Sequence, residues 1–484
     1  MDQKKITGNL FSGVSWLLSG TSIQAVLQII VLIVLARILT PEDFGIITAA
    51  QIIINLSLIF AQLGVGPALI QRKNIASRTI RTGNTISLVF GFSLFVLTFL
   101  LSGYLERFFD ISGLSLVIKF LSISFIIQSV SVIYESLLYR KFRYNIIAIS
   151  EVISYLVGYG LLSITFAYLG FGYMSLVYGI LAKHLIKTLI LFAKSEKKYG
   201  LSYSNKEARE ILIFGGGMTL SKIYNYFALQ ADNVIIGRYL NAEILGMYSK
   251  AYQLISMPAN LIGGALDKAL FPIFSAIQDD LNKVVSYYYS ILSLICTLLL
   301  PVSVVLFFNS ENVILLILGE QWIEIAPVFG ILVIALFFRT AYKISVSTLR
   351  SIGLVYKNAH FQLLYAFKVI VFSLVGVRYG VFGVSLGVLM AIISIYVILY
   401  FYTSNKLKSD SYNLFSTHID GFVLLFIMNI FMLFQFGFDL HGYMNLTMSI
   451  ILYIITVLIY IIATNYYKRN YILNIYYEKL NSAR

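Results

Sequence analysis

Apolar residues run for twenty or more positions at a stretch along most of this chain, broken by short polar turns. A helix needs about 20 such residues to cross the hydrocarbon core of a bilayer. The runs fall at 12–36, 45–70, 83–104, 114–138, 146–169, 171–193, 211–236, 246–272, 286–309, 325–349, 359–378, 381–403, 418–437 and 445–466. They predict about fourteen transmembrane helices and an all-α polytopic membrane protein. Barrel strands would instead alternate apolar and polar residues over about ten positions.

One polar turn is written twice. Arg37-Ile-Leu-Thr-Pro-Glu-Asp-Phe-Gly45 and Arg238-Tyr-Leu-Asn-Ala-Glu-Ile-Leu-Gly246 share Arg, Leu, Glu and Gly at a constant offset of 201 residues. Each copy joins two apolar runs, and duplicated membrane units are the ground plan of many secondary transporters. Arg37 with Glu42, and Arg238 with Glu243, are read as charge-assisted pairs that clamp each turn.

Composition agrees with the runs: 59% of residues are hydrophobic, 12% are charged and mean hydropathy is +0.85, whereas soluble domains carry about 25% charged residues. The single cysteine, Cys296, excludes an intrachain disulfide and a thiolate metal centre. The first apolar run reaches Ala36, too long for a cleaved signal peptide, so a retained first helix is expected.

The net charge of +14 follows membrane topology and needs no nucleic-acid partner. Lys4, Lys5, Arg72, Lys73, Arg78, Arg81, Arg140, Lys141 and Arg143 fall in loops of one side. Lys194, Lys197, Lys198, Lys206, Arg209, Lys406, Lys408, Lys468 and Arg469 fall on that same side. The opposite loops hold mainly Arg37, Arg107, Arg238 and Arg378 beside acids. The basic side is the cytoplasmic one, with both termini on it. Each copy of the turn then sits in the same orientation, which makes the repeats parallel. Expected boundaries are 1–195 and 211–405 for two six-helix lobes, 196–210 for a basic linker and 406–484 for two extra helices with a tail.

Ionisable groups at mid-membrane cost about 2.5–3.5 kcal/mol each on insertion scales and so call for a function. Lys222, Arg339 and Lys368 stand near mid-depth, Lys343 lies one turn from Arg339, and Lys119 and Lys250 lie nearer the outer ends. All are cations, which points to a cavity for an anionic ligand. Lys222, Asn225, Tyr226, Asp232 and Asn233 form a stripe at helical spacing, and Gln24 falls on Asn225 at the repeat offset. Gln51, Asn55 and Gln62 add a second stripe. The same residues also serve as interhelical packing polar groups, and Lys119 and Lys250 can snorkel to the interface. Asp232 is either an ion-coupling acid or the partner of a nearby cation.

No phosphate loop, metal-ligand spacing or Ser/His/Asp arrangement occurs, and His184, His360, His418 and His441 are scattered. No enzyme activity, cofactor or metal is expected.

The stretch Arg37 to Gly45, Gln62-Leu-Gly-Val-Gly66 and Ala68-Leu-Ile-Gln-Arg72 resembles the oligosaccharide flippases of bacterial polysaccharide export. So do Ala231-Asp-Asn-Val-Ile-Ile-Gly-Arg238, Gly246-Met-Tyr-Ser-Lys-Ala-Tyr252, Leu270-Phe-Pro-Ile-Phe274 and Gly319-Glu-Gln-Trp322 with Ala326-Pro327. These O-antigen and exopolysaccharide flippases belong with the multidrug/oligosaccharidyl-lipid/polysaccharide exporters, and the resemblance covers residues 10–400. It implies two lobes in a V, alternating access in the bacterial inner membrane, and a cationic cavity for a lipid-diphosphate-linked oligosaccharide. Membrane lipids, a polysaccharide polymerase and a chain-length regulator are the implied partners. The depth argument gives Lys222, Arg339 and Lys368 to the diphosphate. Gln24, Gln51, Asn55 and Asn225 are given to sugar hydroxyls, and Tyr226 to a sugar ring. A drug or organic-cation exporter of the same fold, and a membrane polysaccharide polymerase, are the competing readings. The first would need carboxylates deep in the cavity, and the second a large outer loop.

Overall fold

The computed structural model describes residues 3–62, 64–72, 75–195, 199–409, 411–436 and 443–463. The side chains of Lys4, Lys5 and Gln62, and residues Lys73, Lys197, Lys198, His441, Lys468 and Arg469, lie outside what it describes. Every regular element among the described residues is helical.

The chain divides into two compact units, 1–249 and 250–484. The first holds α1 (Gln3–Ile38), α2 (Pro41–Gln62), α3 (Val65–Gln71), α4 (Ser77–Phe109), α5 (Leu114–Arg140) and α6 (Tyr144–Ile153). A π-helical stretch, Ser154–Leu162, continues α6 into α7 (Ser163–Tyr168), followed by α8 (Tyr173–Ala193) and α9 (Asn205–Tyr239). Helix α10 (Ala242–Ala276) begins in the first unit and continues into the second. There it is followed by α11 (Leu281–Phe308), α12 (Ser310–Ile317), α13 (Ala326–Ser351) and α14 (Val355–Gly376). The last are α15 (Gly380–Lys406), α16 (Ser411–Phe436) and α17 (Tyr443–Ala463).

Ten helical segments among the described residues are long and apolar enough to cross a membrane, one of them covering both α14 and α15. Helices α9 and α10, which carry Lys222 and Asp232, and Lys250 and Asp267, are not among the ten. The all-α polytopic architecture is as the apolar runs predict, with helical segments at each of their positions.

The duplicated turn is duplicated in its bonding. Leu39 N donates to Leu35 O at 2.9 Å, and Leu240 N to Ile236 O at 2.9 Å. Thr40 and Asn241 occupy equivalent positions before α2 and α10. Asn241 Oδ1 accepts from Ile244 N at 2.7 Å. Thr40 and Asp43 cap each other, with Thr40 N donating to Asp43 Oδ2 at 2.9 Å and Asp43 N to Thr40 Oγ1 at 3.2 Å. Such caps satisfy backbone donors that the helix itself leaves open.

Glycine lets the two copies meet. A Cβ on Gly45 would run into the carbonyl of Ala242, and one on Gly246 into the carbonyl of Pro41. Each glycine therefore touches the first helical residue of the other copy, the reciprocal pattern of a local two-fold axis. In lipid such close backbone approach replaces the hydrophobic effect as the source of helix association.

Candidate functional site

The cations of α13 lie along its contact with α10, inside the second unit. Tyr252, Asn260 and Asp267 follow one another down α10 as Arg339, Lys343 and Arg350 do down α13. Arg339 Nη1 donates to Tyr252 Oη at 2.6 Å, and its guanidinium lies 4.2 Å from the centre of that ring. Lys343 Nζ donates to Asn260 Oδ1 at 2.8 Å and to Ala259 O at 3.3 Å. The stem of Lys343 crosses α10 at Gly263, where a Cβ would come within 2.5 Å of its Cδ. Arg350 pairs with Asp267 at 3.3 Å and covers the Phe271 ring at 5.1 Å.

The column thus runs from the Asp267 carboxylate on Arg350, through an amide and a carbonyl on Lys343, to the Tyr252 phenol on Arg339. Lys343 is held by an amide and a carbonyl, which fix its position and leave its charge in place. Arg339 is buried, a position that a guanidinium takes more readily than an ammonium because it is weakly hydrated and stacks on rings.

The other predicted residues are dispersed. Lys368 is half-buried and donates to Ser394 Oγ across α14 and α15 at 3.0 Å. Lys250 bonds Gln253 Oε1 one turn on at 3.3 Å. Lys119 lies 5.5 Å from the Phe99 ring centre, the geometry of a stem laid along an apolar surface. On α9 Lys222 is half-buried and Asn225 exposed, while Gln24 and Gln51 are half-buried and Asn55 is exposed. Tyr226 donates its hydroxyl to Ile52 O of α2 at 2.6 Å, so that end of the ring is tied to the backbone. Asp232 is buried and accepts from the Tyr248 hydroxyl at 2.7 Å. Arg37, Glu42 and Glu243 are exposed, and Arg238 spreads over the Phe108 and Tyr239 rings at 5.5 and 5.9 Å.

Beside Asp232, further acids lie within the helices. Lys187 of α8 bridges two carboxylates, Glu151 of α6 at 2.6 Å and Glu135 of α5 at 3.1 Å. Lys183, one turn before it, lies 5.6 Å from the Tyr155 ring centre at the start of the π-helical stretch. Asp267 and Asp420 are further acids within helices, Asp420 accepting from the Tyr460 hydroxyl at 2.5 Å. The signal was present in the sequence: Glu135, Glu151 and Lys187 all fall inside apolar runs, and only their partnership required three dimensions. No group of three or more metal-ligating side chains occurs among the described residues.

A family profile described as polysaccharide biosynthesis protein matches residues 34–327. The lipopolysaccharide biosynthesis protein WzxC of Escherichia coli K12 is 27% identical over 83% of this chain and 82% of its own. The succinoglycan biosynthesis transport protein ExoT of Rhizobium meliloti is 24% identical over 68% of this chain and 66% of its own. Among solved structures, the lipid II flippase MurJ in an inward closed conformation superposes with a TM-score of 0.76 at 15% identity, over 93% of this chain and 99% of that one. An inward-facing multidrug resistance transporter of the MATE family gives a TM-score of 0.67 at 16% identity, over 80% and 94%. The last two likenesses establish a shared fold.

Proposed function

The chain belongs to the polysaccharide biosynthesis protein family, and from that premise we propose that it is a flippase for a polyprenyl-diphosphate-linked oligosaccharide. It carries this substrate from the cytoplasmic to the outer leaflet of the bacterial inner membrane by alternating access, with both termini cytoplasmic. It works as a carrier with no catalytic step. A polysaccharide polymerase and a chain-length regulator are the partners that would take the product on. The lobes are assigned to 1–195 and 211–405, linked by 196–210, with 406–484 as an addition.

The observation that carries this reading is Lys343, positioned by the uncharged Asn260 and Ala259 groups with Arg339 one turn away on the same helix. A diphosphate cannot enter hydrocarbon with its charges bare, because the desolvation cost of an unpaired ion is prohibitive. A positioned ammonium beside a guanidinium supplies the replacement for water. Lys222, Lys368, Lys250 and Lys119 are assigned to the same anionic substrate, and Gln24, Asn55, Asn225 and Tyr226 to its sugars. Asp232, bonded to Tyr248, is assigned to the support of α9.

An exporter of organic cations would need a carboxylate available to its cargo. Glu135 and Glu151 are instead engaged by Lys187.

Outward movement of a negative charge gains about 2.3 kcal/mol per 100 mV of inside-negative potential, so a diphosphate with about two charges can be driven by voltage. Proteoliposomes loaded with a fluorescent polyprenyl-diphosphate oligosaccharide test both ideas. Flux should fall when the potential is collapsed, and Lys343→Gln and Arg339→Met should abolish it at normal membrane levels. Unchanged flux in both variants would overturn the site, and flux indifferent to potential would overturn the voltage drive.

A further inference from the structure

Lys343 and Arg350 stand seven residues apart on α13, and their partners Asn260 and Asp267 stand seven apart on α10. Seven residues are two helical turns, so each pair forms one rung of the same contact. Asn and Asp have nearly the same shape and differ in charge. The two rungs are therefore one device, built once with a neutral oxygen and once with an anionic one.

The Arg350 rung is made to open. Nη1 donates to both carboxylate oxygens, at 3.3 and 3.5 Å, well beyond the roughly 2.7–2.9 Å of a strong charge-assisted bond. The two side chains remain 38% and 36% exposed, and ion pairs in water of this kind contribute little to stability. The Phe271 ring, 5.1 Å from the guanidinium, would keep Arg350 in place after its carboxylate had left. An ordinary surface pair at a helix end would have no reason to continue the register of Lys343.

The two helices also differ in stiffness. Pro258 and Pro272 both lie inside α10, and Asn260, Gly263, Gly264, Asp267 and Phe271 fall between them. An internal proline removes a helical hydrogen bond and is a common cause of kinks. Helix α13 has one proline, Pro327, and that is in its first turn. The cations thus stand on a regular helix and their partners on one that is weakened on both sides of them.

Taking the transport reading above as given, we propose that Asp267 is a stand-in for the phosphate of the substrate. Its carboxylate occupies Arg350 in the empty carrier and gives way when a diphosphate arrives. Arg350 lies in the last turn of α13, the cytoplasmic end under the topology proposed above. The diphosphate therefore meets Arg350 first and passes to Lys343 about 10.5 Å further along the helix. A group with about two charges displaces a carboxylate with one, and the released Asp267 stays in contact with water. In the empty carrier the acid neutralises Arg350, which lowers the cost of moving the column without its cargo.

Binding of farnesyl diphosphate to the purified full chain, measured beside flux in proteoliposomes, tests this. Asp267→Asn keeps the shape and removes the competing charge. It should bind farnesyl diphosphate about fivefold more tightly, the equivalent of about 1 kcal/mol for one exposed pair. In flux it should lower KM without raising kcat, because tighter binding of the ground state does not speed release. Arg350→Gln should bind more weakly, and adding Asp267→Asn to it should change nothing further, since the two residues act through one contact. Unchanged or weaker binding by Asp267→Asn, or the same gain in the Arg350→Gln background, would overturn the proposal. Should Asp267→Asn fail to fold, undiminished binding by Arg350→Gln would overturn it equally. Lys343→Gln reports on the transport site by itself: binding lost there with no gain in Asp267→Asn sinks only the stand-in. A gain in Asp267→Asn with Lys343→Gln binding as wild type sinks only the Lys343 site, and a wild type that does not bind the probe sinks both.

Discussion

Thr48 Oγ1 and Ser249 Oγ lie 3.1 Å apart across a sequence separation of 201 residues, the offset of the duplicated turn. A residue can bond its own repeat equivalent only where it lies beside the axis relating the copies. Gly45 and Gly246 stand one turn earlier on the same two helices, each against the other copy's first residue. Backbone contact and hydroxyl contact thus mark one local axis where α2 and α10 begin.

Alanine at Gly45 or Gly246 should therefore be costly, since each Cβ meets a carbonyl that belongs to helix backbone and cannot swing aside. Overpacking of this kind costs about 1–3 kcal/mol. Loss of the Thr48 hydroxyl should cost less, about 0.6 kcal/mol for an interhelical bond in lipid. Thermal unfolding of the detergent-purified protein should rank Gly45→Ala and Gly246→Ala below Thr48→Ala. The reverse order would place the two-fold contact elsewhere.

Tyr252 offers a second test, because its ring and its hydroxyl both engage Arg339. Tyr252→Phe keeps the stacking surface, whereas Tyr252→Ala removes a contact worth up to about 2 kcal/mol when desolvated. Flux in proteoliposomes should fall modestly in the first and severely in the second. Equal loss in both would mean that the hydroxyl alone positions the guanidinium.

The legible part of this molecule was the part written in one dimension. Runs of apolar residues gave the helices, and the repeated Arg37 and Arg238 turns gave a relationship that Thr48 and Ser249 make physical. Arg37 with Glu42 and Arg238 with Glu243 can be put forward as turn clamps from residue type alone. Capping by Thr40, Asp43 and Asn241 requires knowing which residue precedes the first helical turn. Arg339 and Lys343 can be singled out in the sequence because depth along a span can be counted. Tyr252, Asn260 and Asp267 were missed because a partner's identity depends on which helix lies opposite. Glu135 and Glu151 were passed over for the same reason: 16 positions apart in sequence, they converge on Lys187 only in the packed unit.

That triad predicts an asymmetry. Lys187→Met would leave two carboxylates facing one another in a largely buried site, and breaking a buried pair costs about 3–5 kcal/mol. Adding Glu135→Gln and Glu151→Gln to Lys187→Met removes the orphaned charge and should restore most of the lost stability. Unfolding midpoints of the single and triple variants decide it. A triple variant no better than the single one would show that the ion pairs are not the source of the loss.

The last prediction concerns pH at the start of α9. Arg72 Nη1 binds Glu207 at 2.6 Å and Nη2 binds Glu210 at 2.8 Å. The hydrogen bond from Arg72 is the main cause that holds the Glu207 carboxyl below its ordinary value of 4.5. A carboxyl depressed in the folded state contributes stability in full above its unfolded pKa. That contribution fades as pH falls through the lower folded value, because both states are then protonated. Glu207 is partly exposed, so the effect is small and screened by salt. The unfolding midpoints of wild type and Glu207→Gln should accordingly differ at neutral pH and low salt. They should draw together as pH drops below 4.5, and sooner at high salt. A gap that widened on acidification would require a raised carboxyl pKa, and so a Glu207 that is buried or set against another acid rather than bonded to Arg72.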